Sequence, residues 1–171
     1  MNTTKDIWLA AGCFWGAQKF FKGIEGVEFT EVGFVNGNTE NPTYEQVYTD
    51  TTGYAECVHV RYNPQKISLK RIAELFFKII DPLSINKQGE DKGTRYRTGI
   101  YYAKDCIAEN EIEALEKVFD SIRKELNVKS LAVELLPVER FYTADEFHQD
   151  YLDKNPGGYC HLNPEVFKIK S

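Results

Sequence analysis

A mixed β-sheet with helices packed against it is the fold that this sequence predicts, on three observations. Short apolar runs with strand periodicity interleave with segments whose apolar residues recur at helical spacing. At 171 residues the chain suits a single domain, 1–171, able to bury a substantial core without covalent staples. Beyond about residue 140 the periodicity gives way to an aromatic, polar segment running to Ser171, which is expected to be largely irregular.

The elements follow in order. Lys5 to Ala11 is a short apolar strand (Ile7, Trp8, Leu9, Ala10, Ala11), and Phe14 to Phe21 a helix, with Lys22 following. Val27 to Phe34 is a strand that ends in the turn-rich stretch from Val35 to Pro42. Thr43 to Tyr48 is a short helix or turn, and Ala55 to Tyr62 a strand stopped by Asn63-Pro64. Ser68 caps a helix to Ile80, with Ile72, Leu75, Phe76 and Ile79 on one face, and Asp81-Pro82 ends it. Leu83 to Arg97 is a polar, glycine-containing loop, long enough to suggest function. Thr98 to Tyr102 is a strand, and Asp105 is expected to cap the longest helix, to about Leu126. Ala132 to Leu136 is a last strand, with one short helix near Asp145 to Leu152.

Composition narrows the function. A net charge of −5 argues against nucleic acid or an anionic membrane as the main partner. No apolar run approaches the roughly 20 residues of a membrane span, and no basic-then-apolar leader opens the chain. Cysteines at 13, 57, 106 and 160 form no CxxC pair, which disfavours a zinc ribbon or a dithiol motif. His59, His148 and His161 lack ligand spacing, so no metal is expected. Reduced thiols in a cytoplasmic protein are the expectation.

The chemistry begins at Gly12-Cys13-Phe14-Trp15-Gly16. A cysteine at a helix N-terminus meets unpaired backbone N–H groups and the positive end of the helix dipole. No acidic residue lies within five positions on either side, and Lys19 and Lys22 follow, so the local field is expected to favour thiolate. Phe14 and Trp15 would line an apolar pocket; the competing reading is a core cysteine followed by core aromatics. Cys106 serves as a control, because it is expected in a first helical turn too, but with Asp105, Glu109 and Glu111 around it. Alternation along Ala55 to Tyr62 puts Glu56 on the face of Val58, Val60 and Tyr62. There its carboxyl would have a raised pKa and stay protonated, unless it points to solvent at the strand's end. Cys57 falls on the other, more polar face with His59 and Arg61 and reads as a bystander. Cys160, behind Gly157-Gly158, is either a mobile thiol or a packing cysteine. Tyr44, in Asn41-Pro42-Thr43-Tyr44, and Tyr96, in the loop Gln88 to Arg97, are hydroxyls able to orient a polar oxygen.

Taken together these segments resemble the A-type peptide methionine sulfoxide reductases over nearly the whole chain. The resemblance rests on GCFWG at 12–16, NPTY at 41–44, GxAE at 53–56, the acidic-glycine-tyrosine loop at 91–97, and HQxYL followed by NPxGYCH between Phe147 and His161. It implies an α+β two-layer sandwich related to ferredoxin-like folds, with a long irregular C-terminal segment wrapping over it. It implies that Cys13 attacks the sulfur of an oxidised methionine, in protein or free, of S configuration. Protonated Glu56 would polarise the sulfoxide oxygen with help from Tyr44 and Tyr96. Phe14 and Trp15 would hold the substrate methyl group, and Asp91 the substrate backbone. Cys13 would be left as sulfenic acid and resolved by Cys160 as a disulfide. Thioredoxin or a similar dithiol would open that disulfide, with no cofactor and with the enzyme a monomer.

The sequence departs from the family in places. Glu90 stands where many members have Asn, and Gly33-Phe34-Val35-Asn36-Gly37 replaces a glycine-rich stretch. A single C-terminal cysteine implies one resolving step, and in some relatives a B-type domain follows. Two other readings compete: a thiol peroxidase using Cys13 and Cys160 without methionine, and a non-catalytic module that binds oxidised methionine or an apolar peptide.

Overall fold

A computed structural model describes residues 3–171. Six strands form one sheet in the order β7-β6-β1-β3-β2-β8. These are β1 (Lys5–Ala10), β2 (Val27–Val35), β3 (Ala55–Tyr62), β6 (Thr98–Tyr102), β7 (Val133–Pro137) and β8 (Phe141–Thr143). All neighbours run antiparallel except β6 and β7, so the sheet is mixed as the sequence predicts. The helices are α1 (Phe14–Lys22), α2 (Tyr44–Tyr48), α3 (Leu69–Lys78), α4 (Glu109–Leu126) and α5 (Tyr151–Lys154).

Strand alternation decides which residues meet the helices. Ile7 and Leu9 of β1, Val32 and Phe34 of β2, Val58, Val60 and Tyr62 of β3 and Ile100 of β6 form one buried core with apolar residues of α1, α3 and α4. Ser68 caps α3 by accepting from Arg71 N–H at 3.0 Å. Thr43 and Gln46 cap α2 reciprocally, at 3.1 and 2.9 Å. The other sheet face is less polar than expected. Cys57 is fully buried there beside Ala10, Val35, Ala55 and Tyr101, because Val138, just after β7, and Phe141 of β8 pack over it. On the same face Trp8 stacks on His59 at 4.6 Å, the two being paired across β1 and β3.

Three sequence expectations are corrected. The long helix starts at Glu109 with Ala108 as its N-cap, not at Asp105. Glu111 reaches back to Ala108 N–H at 3.1 Å, while Cys106 sits in the preceding turn, its N–H bonded to Ala103 O. Cys106 is therefore not a helix-terminal thiol and makes no control for Cys13. The loop 83–97 contains a small hairpin, β4 (Lys87–Gln88) with β5 (Asp91–Lys92), and a 3-10 turn over Thr94–Tyr96. The C-terminal segment contributes β8 as a sheet edge and then short turns. Asp150, at φ +52°, separates the 3-10 turn Glu146–His148 from α5, where one short helix was expected.

Antiparallel pairing brings the C-terminal ends of β1 and β2 to the N-terminal end of β3. That end of the sheet carries Cys13, Phe34 and Glu56 together.

Candidate active site

Cys13 is the N-cap residue of α1 and only 6% exposed. The chain reaches it through Gly12 at φ +82°, a conformation that favours glycine. The backbone N–H of Trp15 acts to lower the thiol's pKa, which is the helix-terminus contribution that the sequence anticipates. It is outweighed. Burial pushes the thiol well above its ordinary pKa, and Glu56, Asp91 and Cys160 push the same way. These neighbours are distant in sequence, so the local absence of acids misled. Lys22 does not offset them, being paired with Asp150 and Asp153, and Lys19 lies over the Phe167 ring. The resting nucleophile is therefore a thiol, not the thiolate that the local sequence suggests.

Glu56 lies on the core face of β3, 2% exposed, as alternation predicts. Its Oε1 accepts from Phe14 N–H at 3.1 Å, which ties the acid to the residue next to the nucleophile. Burial raises its pKa to about 8, with the Phe14 bond and the Arg95 guanidinium opposing. At neutral pH it is mostly a carboxylic acid, able to donate. Tyr44 and Tyr96 both have hydroxyl pKa values raised above the ordinary phenol, first by burial, then by Glu56, and also by Cys13. Both phenols thus belong to the same site and keep their protons. Tyr96 is held by its loop: Asp50 accepts from Arg95 N–H at 3.0 Å and from Thr94 Oγ1 at 3.2 Å. The Asp50–Arg95 ion pair completes the clamp, with the guanidinium 4.4 Å from the Tyr96 ring centroid.

Beside the thiol the aromatic side chains form a continuous wall. Phe14 lies 5.7 Å from Phe34 and 5.5 Å from His148, ring to ring. Trp15 stacks on Tyr151 at 3.8 Å, and His148 on Tyr44 at 4.3 Å. Trp15 Nε1–H donates to His148 Nδ1 at 3.2 Å, and burial lowers the His148 pKa, so the ring stays neutral and keeps that acceptor. The wall is rigid, apolar and oriented by one hydrogen bond. The sequence offers His148 only as a supporting residue and does not place Tyr151 in the site; their HQxYL pattern is the available signal.

The C-terminal tail closes over this end of the sheet. Cys160 and its sulfur lie against Gly16, where a β-carbon would come within 2.9 Å of Sγ. Gly16 thus clears the seat of the second thiol, one helical turn beyond Cys13. Both are free thiols. Tyr159 donates to Asp91 Oδ1 at 3.0 Å, leaving Asp91 Oδ2 buried without a partner. That spare acceptor suits a backbone N–H of a bound chain. Tyr159 was not singled out from the sequence, although it adjoins Cys160. All eight residues that the sequence proposes (Cys13, Phe14, Trp15, Tyr44, Glu56, Asp91, Tyr96 and Cys160) are thereby linked at one end of the molecule. No group of three or more His, Cys, Asp or Glu fit for a metal occurs among the described residues.

With this geometry in view, the family profile "Peptide methionine sulfoxide reductase" matches residues 5–171. The chain belongs to the peptide methionine sulfoxide reductase family. It is 44% identical to peptide methionine sulfoxide reductase MsrA of Clostridium acetobutylicum over 164 residues, covering 96% of this chain and 98% of that one. Methionine sulfoxide reductase A of Corynebacterium diphtheriae superposes with a TM-score of 0.85 at 34% identity, over 94% of this chain and 79% of that one. Mxr1 from Saccharomyces cerevisiae in complex with Trx2 superposes with a TM-score of 0.59 at 25% identity, over 86% and 84% of the two chains. The reductase family and its mixed α/β fold are those expected from the motifs.

Proposed function

We propose that this chain reduces methionine-S-sulfoxide, in proteins and as the free amino acid, using Cys13 as nucleophile and Glu56 as acid. The observation that carries the reading is the buried, protonated Glu56 bonded to Phe14 N–H beside the Cys13 thiol. A neutral thiol and a neutral acid leave the reacting pair uncharged until an oxygen acceptor enters. The substrate methyl group rests on Phe14 and Trp15, its backbone N–H on Asp91 Oδ2. Glu56 then protonates the sulfoxide oxygen, with Tyr44 and Tyr96 donating to it.

Cys13 sulfur attacks the sulfoxide sulfur to form an S–S bond, and the thiol proton restores Glu56. The hydroxyl then passes from the substrate sulfur to the Cys13 sulfur as the S–S and substrate S–O bonds break. The net exchange is thiol plus sulfoxide giving sulfenic acid plus methionine. The substrate sulfur gains two electrons and Cys13 loses two. Cys160 next displaces the sulfenic oxygen as water and forms a Cys13–Cys160 disulfide. A thioredoxin-type dithiol exchanges with it and leaves both thiols reduced; the complex of the related Mxr1 with Trx2 supports that reductant. No other cofactor is needed, and one chain carries every group named. A cytoplasmic location suits a cycle that returns to free thiols.

The test is a pair of variants. Cys13→Ser is expected to release no methionine. Cys160→Ser is expected to release about one methionine per chain and then stall with thioredoxin as reductant. Sustained turnover by Cys160→Ser would remove Cys160 from the cycle, and comparable turnover with peroxide would favour a thiol peroxidase.

A further inference from the structure

Resolution of the sulfenic acid needs something that the site as described does not supply. Cys160 must give up a proton to attack, and the leaving oxygen must gain one. Glu56 and the two tyrosines surround Cys13, whereas Cys160 sits in the tail on Gly16.

The next residue in the tail is His161. Its Nε2 lies 2.9 Å from Ala11 O, and a carbonyl only accepts, so Nε2 carries the ring hydrogen. Nδ1 is therefore the lone-pair nitrogen, and it is buried with no hydrogen-bond partner. An orphaned buried acceptor is uncommon and often marks a working group. Its placement is specific. A β-carbon on Gly12 would meet Nε2 at 3.0 Å, and one on Gly16 would meet Nδ1 at 3.4 Å and Cys160 Sγ at 2.9 Å. The free nitrogen and the resolving sulfur thus face the same bare patch of α1.

We propose that His161 Nδ1 is the proton acceptor for the Cys160 thiol in the resolving step, while Nε2–H anchors the ring on Ala11 O. The inference rests on the reductase reading above. As the Cys160 sulfur forms the S–S bond, its proton passes to Nδ1. The S–O bond of the Cys13 sulfenic acid breaks with its electron pair on oxygen, and the imidazolium returns the proton to make water. The imidazole ends as it began. Burial lowers the pKa of the ring, with the Ala11 bond and the Asp91 carboxylate opposing, so the base form is the one present at neutral pH. Asp91, from β5, and the adjoining Cys160 are the titratable groups to be considered in its pH response.

The test separates the two nitrogens. In His161→Gln the amide N–H can keep the anchor on Ala11 O, but the Nδ1 lone pair is lost. In His161→Asn an acceptor stands near Nδ1, but the anchor is lost. Reduced enzyme is mixed with one equivalent of N-acetyl-methionine-S-sulfoxide; methionine release and loss of free thiols are followed separately by quenched flow. For His161→Gln the ratio of disulfide rate to methionine-release rate is expected to fall about 100-fold, within the usual range for lost general-base help. Its disulfide rate should also rise with pH through neutrality, because solvent must then take the proton, where the wild-type rate depends less on pH. His161→Asn, whose amide cannot take a proton either and which also loses the anchor, should lose at least as much of the ratio with the same kind of pH dependence. A wild-type ratio and a level pH profile in His161→Gln would overturn the proposal, as would a loss confined to His161→Asn, which would leave the Ala11 anchor as the residue's role. Failure of the wild type to release methionine would instead sink the reductase reading itself.

Discussion

Replacing Glu56 with glutamine isolates the proton on which the chemistry depends. The substitution keeps the volume and an oxygen to accept from Phe14 N–H, and it removes the carboxyl proton. In the wild type the folded-state pKa is raised from 4.5 to about 8 by burial. Below pH 4.5 the acid is protonated whether folded or unfolded, and stability is at its full value. Between 4.5 and about 8 only the folded chain binds this proton, so stability falls as pH rises. At 1.36 kcal/mol per unit the loss approaches roughly 5 kcal/mol, about a third or more of the margin of an ordinary domain. Glu56→Gln has no such term. Urea unfolding followed by Trp8 and Trp15 fluorescence should therefore give a difference, Gln minus Glu, that grows in favour of Gln by about 1.4 kcal/mol per pH unit from 5 to 8. In activity the order reverses: Glu56→Gln should lose about 100-fold or more in kcat. The wild-type rate should fall above pH 8 as the acid ionises. Parallel stability curves for the two proteins would refute the raised pKa, and with it the neutral acid.

Other outcomes follow from the same contacts. Gly16→Ala would ordinarily strengthen a helix by up to about 1 kcal/mol. Here its methyl group meets Cys160 Sγ, so the tail should lift, Cys160 should react faster with a thiol reagent, and disulfide formation should slow. His148→Phe keeps a ring against Tyr44 but leaves Trp15 Nε1–H without its acceptor; steady-state kinetics should show KM raised about 5- to 10-fold, the worth of one hydrogen bond. Tyr159→Phe frees Asp91 Oδ1 from its hydroxyl and should change KM for a peptide more than kcat, read from the same assay.

Much of this architecture was legible in the sequence, and the reasons differ by element. Alternation along Ala55 to Tyr62 was enough to put Glu56 on the core face, because a strand buried on that face has one register. Ser68 and the apolar spacing after it located α3 for the same local reason. The charge state of Cys13 was not legible. Burial sets it first, and the groups that add to it, Glu56, Asp91 and Cys160, come from three separate parts of the chain and meet only after the sheet forms. The start of α4 was missed because an acidic residue before a helix looks like a cap, whereas Glu111 here caps from within. Strand β8 was missed because three residues at a sheet edge carry too little alternation to read. His148, Tyr151 and Tyr159 lay in a segment without periodicity, and only the ring stacking and the Asp91 bond reveal their roles.

The central claim is one thiol attacking one sulfoxide epimer with help from a neutral acid, then a second thiol closing the cycle. The measurement that tests it most directly is reduction of the separated S and R sulfoxides of N-acetyl-methionine by the reduced enzyme without added reductant, with thiols counted after one turnover. One methionine per chain is expected from the S epimer and none from R, with the loss of two thiols, Cys13 and Cys160, while Cys57 and Cys106 remain free. Equal reduction of both epimers, or methionine released without loss of the Cys13 thiol, would contradict it.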